Sequence, residues 1–175
     1  MVKPNASKPR PVRPPAPALP PFEGLDRTHH RVIEVLAQFD RLLAHLDDNG
    51  ADDVAKASAA EIFAFFEGNA REHHAEEERH IFPALLASGN ATLVEAVHRL
   101  QQDHGWLEED WHELSPQIEA VAKGYNWYDL AMLRLALPVF TALYHEHIGL
   151  EESLIYPEAK RRQAALDAGA QARLS

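Results

Sequence analysis

The chain contains no cysteine, which excludes disulfides, thiolate metal sites and cysteine nucleophiles together. It also lacks any stretch approaching the roughly 20 uninterrupted apolar residues of a membrane span, and its amino terminus has no apolar run that could act as a signal-peptide core. A soluble, cytoplasmic protein is the expectation. A basic face is missing as well. The formal net charge is -10, and Lys3, Lys8, Arg10 and Arg13 make residues 1–22 basic, so the remainder is more acidic still. Such a domain repels phosphate backbones and anionic lipid, and neither nucleic acid nor a membrane is expected as a partner. Strand-like alternation is absent, and no His-Glu-x-x-His sequence of the zinc-protease kind occurs.

What is present in excess is histidine, with 11 in 175 residues, several of them beside acidic residues and none in a terminal run. The rest of the composition, 46% hydrophobic and 25% charged, suits one soluble globular domain with a real core. Residues 1–22 are dominated by proline and are expected to form an extended, solvated arm without chemistry of its own, able at most to dock on a protein partner. Residues 23–175 are expected to form the domain.

Four apolar stripes follow, each with steps of three and four that mark one face of a helix. The first is His29, Val32, Leu36, Phe39, Leu43 and Leu46, with Asp26 as N-cap and Asn49-Gly50 as the stop. A second helix starts near Asp52 or Asp53 and carries Ile62, Phe66, Ala70, His73, Glu77, His80 and Ala84, with Pro83 expected to kink or loosen its last turns. The third begins after Asn90 and carries Leu93, Val97, Leu100, His104, Leu107, Trp111 and Leu114. Ser115-Pro116 suggests a bend or restart before an end near Gly124. The fourth opens at Asn126 with Asp129 as capping partner, and runs through Leu133, Ala136, Phe140, Leu143, His147, Leu150, Glu151 and Leu154, kinked at Pro138. His30, His98 and His112 fall off the stripes. Four such helices with short connections predict an all-α, up-down-up-down antiparallel four-helix bundle.

The second and fourth helices share a pattern. HHAEEERHIFP, from His73 to Pro83, returns as HIGLEESLIYP, from His147 to Pro157, and Phe66 and Phe140 stand seven residues ahead of the respective histidines. Leu25-x-x-x-His29 and Leu100-x-x-x-His104 extend the repeat to the first and third helices, so each half supplies a His and then a His-x-x-x-Glu. On a helix four residues advance about 6 Å and return to nearly the same face, which sets each imidazole beside its carboxylate. Four imidazoles and two carboxylates on core-facing positions would leave buried polar groups and charge unsatisfied without a cation. The candidate metal ligands are therefore His29, His73, Glu77, His104, His147 and Glu151. Imidazole with carboxylate and no thiolate suits iron first, with manganese or zinc as alternatives. Two carboxylates bridging two ions, with two histidines on each, would leave open positions for an exogenous ligand. A ferritin-like carboxylate centre needs its Glu-x-x-His motifs on facing helices. Here they fall on consecutive ones, at Glu77 to His80 and Glu109 to His112.

At these residues the chain resembles the hemerythrin-like family, or HHE cation-binding domain, over roughly residues 25–160. The resemblance implies a non-haem di-iron centre in a four-helix bundle that meets dioxygen, peroxide or nitric oxide, or handles iron. Oxygen-carrying members use a fifth histidine one turn from the third-helix ligand, where this chain has Leu100 and Glu108. The resemblance is therefore to the branch with His, HxxxE, His, HxxxE, linked to peroxide handling, iron sensing or stress. Whether the chain is an enzyme stays open, and a metal- or oxygen-responsive interaction module without turnover is the alternative. Glu108 and His80 are candidates for a further ligand, and Glu78 and Glu152 for groups behind the ligands. Tyr144, one turn before His147, offers a phenol that could hydrogen-bond an exogenous oxygen ligand.

Overall fold

The computed structural model describes residues 22–173, which are helical apart from the turns between helices. Four long helical rods make up the fold, with no strand among the described residues. Rod α1 is Phe22–Asn49. Rod α2 joins the α-helical segments Asp53–Ala64, Arg71–Glu76 and Phe82–Leu86 through π-turns at Phe65–Ala70 and Glu77–Ile81. Rod α3 is Ala91–Ala122, and α4 joins Leu130–Leu150 to Tyr156–Gln171 through a π-turn at Glu151–Ile155. Packing runs round the ring, α1 on α2, α2 on α3, α3 on α4 and α4 back on α1, as the expected bundle requires. No described helix is long and apolar enough to cross a membrane.

The turns show why the rods stop where they do. Gly50 and Gly89 adopt φ of 70° and 72°, a left-handed conformation that is costly for residues with a Cβ, and each ends a rod. Asp52 caps α2 through Ala55 N–H at 2.9 Å, and Asn90 caps α3 through Thr92 and Leu93 N–H at 3.0 and 3.3 Å. Two expected starts move. Rod α1 is already helical at Phe22, so Asp26 lies inside it, where it pairs with Lys160 at 3.2 Å instead of capping. Asp129 is itself the N-cap of α4, accepting from Met132 N–H at 3.0 Å, so the helix opens at Leu130 and not at Asn126. The proline-rich arm expected over residues 1–22 lies outside the described residues except for Phe22, whose ring packs edge-on against Tyr156.

The apolar stripes expected for α1 and α3 are buried in full. On α2 and α4 the register shifts after the glutamates, and the prolines supply the reason. Proline has no N–H and its ring crowds the carbonyl four residues back, a conflict that a wider turn relieves. Ahead of Pro83, Phe82 N–H reaches back to Glu77 C=O, and ahead of Pro157, Tyr156 N–H reaches back to Glu151 C=O. Each π-turn accommodates one extra residue. The core face therefore continues with Ile81, Phe82 and Leu85, not with His80 and Ala84 as a uniform helix would have it, and likewise with Ile155 and Tyr156 on α4. Pro116 and Pro138 behave differently. Both lie on exposed faces, and α3 and α4 run through them as continuous α-helix, so no restart occurs at Ser115-Pro116.

The buried apolar residues divide into two clusters. The larger holds Phe39, Phe66, Trp111, Phe140 and Tyr144 among others. The smaller holds Leu25, Phe82, Leu85, Leu100, Ile155 and Tyr156. Between these clusters every rod places a polar side chain: His29, His73 with Glu77, His104, and His147 with Glu151, all buried. Replacing Asn90 with Ala removes the side-chain cap at the start of α3, whose bonds involve no residue of this layer. It is expected to cost about 1 kcal/mol, read as a lower thermal midpoint with helix content retained.

Candidate metal centre

The polar layer brings together all six residues expected as ligands. Glu77 stands between two histidines, its Oε1 3.5 Å from His73 Nε2 and its Oε2 3.5 Å from His104 Nε2. Glu151 stands between the other two, its Oε2 3.1 Å from His29 Nε2 and its Oε1 3.2 Å from His147 Nε2. Both carboxylates are fully buried. Despite these approaches, both oxygens of Glu151, both nitrogens of His73 and of His147, Glu77 Oε2 and His104 Nε2 have no hydrogen-bond partner among the described residues. Atoms that sit about 3 Å apart without bonding one another are spaced like neighbouring ligands of one cation with bonds of about 2.1 Å. Two sets contain both carboxylates, His29 with His73, Glu77 and Glu151, and His104 with His147, Glu77 and Glu151, each with its ligand atoms within 4.8 Å of one another; a third, His74 with His104 and His147, contains neither. The residues fit a pair of cations sharing both carboxylates.

Electrostatics reinforce the geometry. Burial alone would raise the Glu77 pKa, but the adjacent imidazole of His104 and the facing imidazoles of His73 and His74 outweigh it and hold the carboxyl below its ordinary range. Glu151 goes the other way, raised well above that range by burial and then by the charge on Glu77. One carboxylate therefore keeps its charge at the expense of the other. His73 is lowered to about 4 by burial, which leaves its imidazole neutral at pH 7 with a lone pair to donate.

Behind the layer a ring of acids orients the imidazoles. His29 Nδ1 lies 3.1 Å from Glu152 and His104 Nδ1 lies 2.8 Å from Glu78, so Glu78 and Glu152 stand behind the ligands, in pseudo-symmetric places. Each carboxylate is half-exposed to solvent. His147 Nδ1 faces buried Asp103 Oδ2 at 3.8 Å. A carboxylate on the far nitrogen fixes the tautomer, so that Nε2 carries the lone pair toward the centre.

Some residues matter that the sequence pattern did not single out. Asp103 directly precedes His104 and is one position off the apolar stripe. Tyr156 hydroxyl donates to Glu77 Oε1 and lies 3.1 Å from His29 Nε2, with its ring stacked on the His29 ring at 5.1 Å. Its only visible signal was the Phe82 to Tyr156 difference between the repeats. Burial and then the charges of Glu77 and Glu151 push the phenol pKa far up, so it remains a donor. His74, half-buried, stacks on His104 at 4.2 Å. The two candidates for a further ligand are not brought in. Glu108 is exposed and paired with Arg71, and His80 stands apart from both ligand sets because the π-turn rotates it off the core face.

A cavity of about 400 Å³ between α2 and α3 ends at this layer. His74, His104 and Tyr144 line its inner part, and the Arg71–Glu108 ion pair stands at the exposed side. Tyr144 is buried against Phe66 and Phe140.

A family model described as the hemerythrin HHE cation binding domain matches residues 21–159. The chain belongs to this hemerythrin family. An uncharacterized protein of Haemophilus influenzae is 28% identical over 135 residues, which cover 77% of this chain and 76% of that protein. Cation binding is the property that describes this hemerythrin family, and the converging His and Glu side chains of the domain form groups able to hold a metal ion.

Two outcomes follow for the hemerythrin domain. Glu78→Ala and Glu152→Ala should each weaken metal retention by about 10- to 100-fold, measured by competition with a chelator. Glu151→Gln should abolish binding at the shared position, yet raise the stability of the metal-free protein by on the order of 1–2 kcal/mol, measured by chemical denaturation. It replaces a buried carboxylate with a neutral group of the same shape.

Proposed function

We propose that the domain holds two iron ions, one between His29 and His73 and one between His104 and His147, with Glu77 and Glu151 bridging both. The observation that carries this is the sharing of both carboxylates by two separate four-residue sets. Imidazole and carboxylate without thiolate favour iron, and manganese or zinc fit the same donors less selectively. Bound iron would supply reversible ligand binding or redox chemistry toward a small molecule such as dioxygen, peroxide or nitric oxide.

The chain's own residues do the rest. Glu152 and Glu78 hold the imidazoles of His29 and His104 in the ligating orientation, and Asp103 faces that of His147. Tyr156 donates a hydrogen bond to Glu77 and so withdraws charge from that carboxylate. The cavity between α2 and α3 admits a small diatomic or peroxide-sized molecule, and Tyr144 among its lining residues would offer a phenol as donor. The two apolar clusters exclude bulk water from above and below. A stress or redox role in the cytoplasm accords with this arrangement.

A second reading, a metal- or oxygen-responsive module without turnover, is favoured by the polar layer itself. It divides the core, so metal occupancy would control bundle stability and, through it, contacts of the proline-rich arm with a protein partner. The two readings separate by experiment. Protein produced in iron-supplemented cells should contain about two irons per chain, with near-ultraviolet ligand-to-iron absorption. Protein that folds without metal and takes up none on reconstitution contradicts the proposal. For the peroxide-handling form, Tyr144→Phe should keep both irons and slow peroxide consumption by roughly tenfold. A loaded protein with no saturable turnover, but a metal-dependent melting temperature, selects the responsive module.

A further inference from the structure

Three of the four imidazoles in the layer have a carboxylate beside Nδ1: Glu152 for His29, Glu78 for His104 and Asp103 for His147. His73 has none. Its Nε2 faces Glu77 at 3.5 Å, its side chain is 3% exposed, and neither ring nitrogen has a hydrogen-bond partner among the described residues. Buried polar atoms ordinarily have partners. The repeat shows what is different here. Asp103 directly precedes His104 on α3, and the matching residue ahead of His29 on α1 is Thr28, whose hydroxyl turns away to donate to Gly24 C=O at 3.1 Å. Where the second half of the chain has an acid behind its histidine, the first half has a cavity of about 280 Å³.

This cavity lies between α1 and α2, and Thr28, Asn69, Glu72 and Glu76 line it together with His73. Glu72 is paired with Arg79 at 2.5 Å. Glu76 is half-buried and has neither a hydrogen bond nor an ion pair among the described residues. Its counterpart in the repeat is Leu150, which packs on the smaller apolar cluster, so the first half alone carries a charge at this place. Two other cavities reach the layer, and their acids are engaged. Between α2 and α3, Glu78 holds His104 and Glu108 is paired with Arg71. Between α1 and α4, Glu152 holds His29 and Glu34 is paired with Arg31 at 3.0 Å. Of the three cavities, only that between α1 and α2 joins an unengaged carboxylate to a ligand imidazole without partners.

We propose that the cavity between α1 and α2 is the entry port for hydrated divalent cations, with Glu76 drawing them in and His73 the first ligand to receive them. The inference rests on the two-ion reading above and adds the route by which the centre fills. A carboxylate in a concave cleft with low-dielectric walls focuses its field on an approaching cation. The cavity has room for several waters at about 30 Å³ each, so a cation enters with part of its shell. The carboxylate of Glu76 and the amide oxygen of Asn69 are of the kind that replaces such waters. His73, tied by no carboxylate at Nδ1, is free to turn between the cavity and the centre.

The test mixes metal-free full-length protein rapidly with cobalt(II) and follows uptake by visible absorption. Glu76→Gln keeps the shape of the side chain and removes its charge, and Glu34→Gln makes the same change beside the cavity between α1 and α4. Wild-type protein is expected to take up two equivalents, at a rate that falls as salt is added. Glu76→Gln should take up the same two about tenfold more slowly, with a flatter salt dependence and an affinity within about threefold of wild type. Glu34→Gln should match the wild-type rate within about twofold. Three results overturn the entry port while leaving two equivalents bound: an unchanged uptake rate in Glu76→Gln, equal slowing in Glu34→Gln, or weaker binding of Glu76→Gln through faster release. The last is the signature of an acid that merely orients His73. Wild-type protein that binds fewer than two equivalents overturns the two-ion reading and this inference with it.

Discussion

The structure turns on a single constraint, two carboxylates at the centre of a helical bundle with apolar residues on either side. Burying one unpaired carboxylate costs several kcal/mol, and two facing each other cost more, since the charge on either disfavours the charge on the other. The opposed shifts at Glu77 and Glu151 express that conflict. Four imidazoles stand 3.1–3.5 Å from the pair and stabilise it only in part. Divalent cations resolve the conflict outright. Each of the four rods contributes to the layer, so a bound cation would also tie together helices whose apolar contacts the layer interrupts.

The repeat explains how one short pattern produces this arrangement twice. Each half supplies a histidine and a His-x-x-x-Glu, and each half's second glutamate backs the lone histidine of the other. Glu78 of α2 supports His104, and Glu152 of α4 supports His29. The aromatic-Pro pair serves a related purpose. By widening the helix directly after each bridging glutamate, it turns Phe82 onto the His104 ring and Tyr156 onto the His29 ring. The halves then diverge in chemistry, with a phenol donor beside one set of ligands and a phenyl ring and His74 beside the other. Near-symmetry builds the site, and the departures from it make the two positions distinct.

Much of this was legible from residue spacing. The stripes on α1 and α3 are uniform helix, so steps of three and four put His29 and His104 in the interior, and His-x-x-x-Glu needs only one regular turn to bury Glu77 and Glu151 beside their histidines. The reading fails where the helix stops being regular. After Glu77 a uniform period points to His80 and Ala84, whereas the π-turn brings in Ile81 and Phe82. Proline signals that something must give there, but Pro116 and Pro138 show that the same residue can pass without a π-turn, so the outcome depends on packing. His74, Asp103 and Tyr156 were missed for a different reason. Each lies off the stripe of its own helix and reaches the centre only through the way neighbouring rods pack, which no single-helix period contains.

The central claim is that two cations share Glu77 and Glu151, and it is tested most directly by anomalous diffraction from iron-loaded crystals at the iron absorption edge. The account predicts two peaks about 3.5–4 Å apart, both between Glu77 and Glu151, one beside His29 and His73 and the other beside His104 and His147. A single peak, or iron bound outside the six-residue layer, would contradict it.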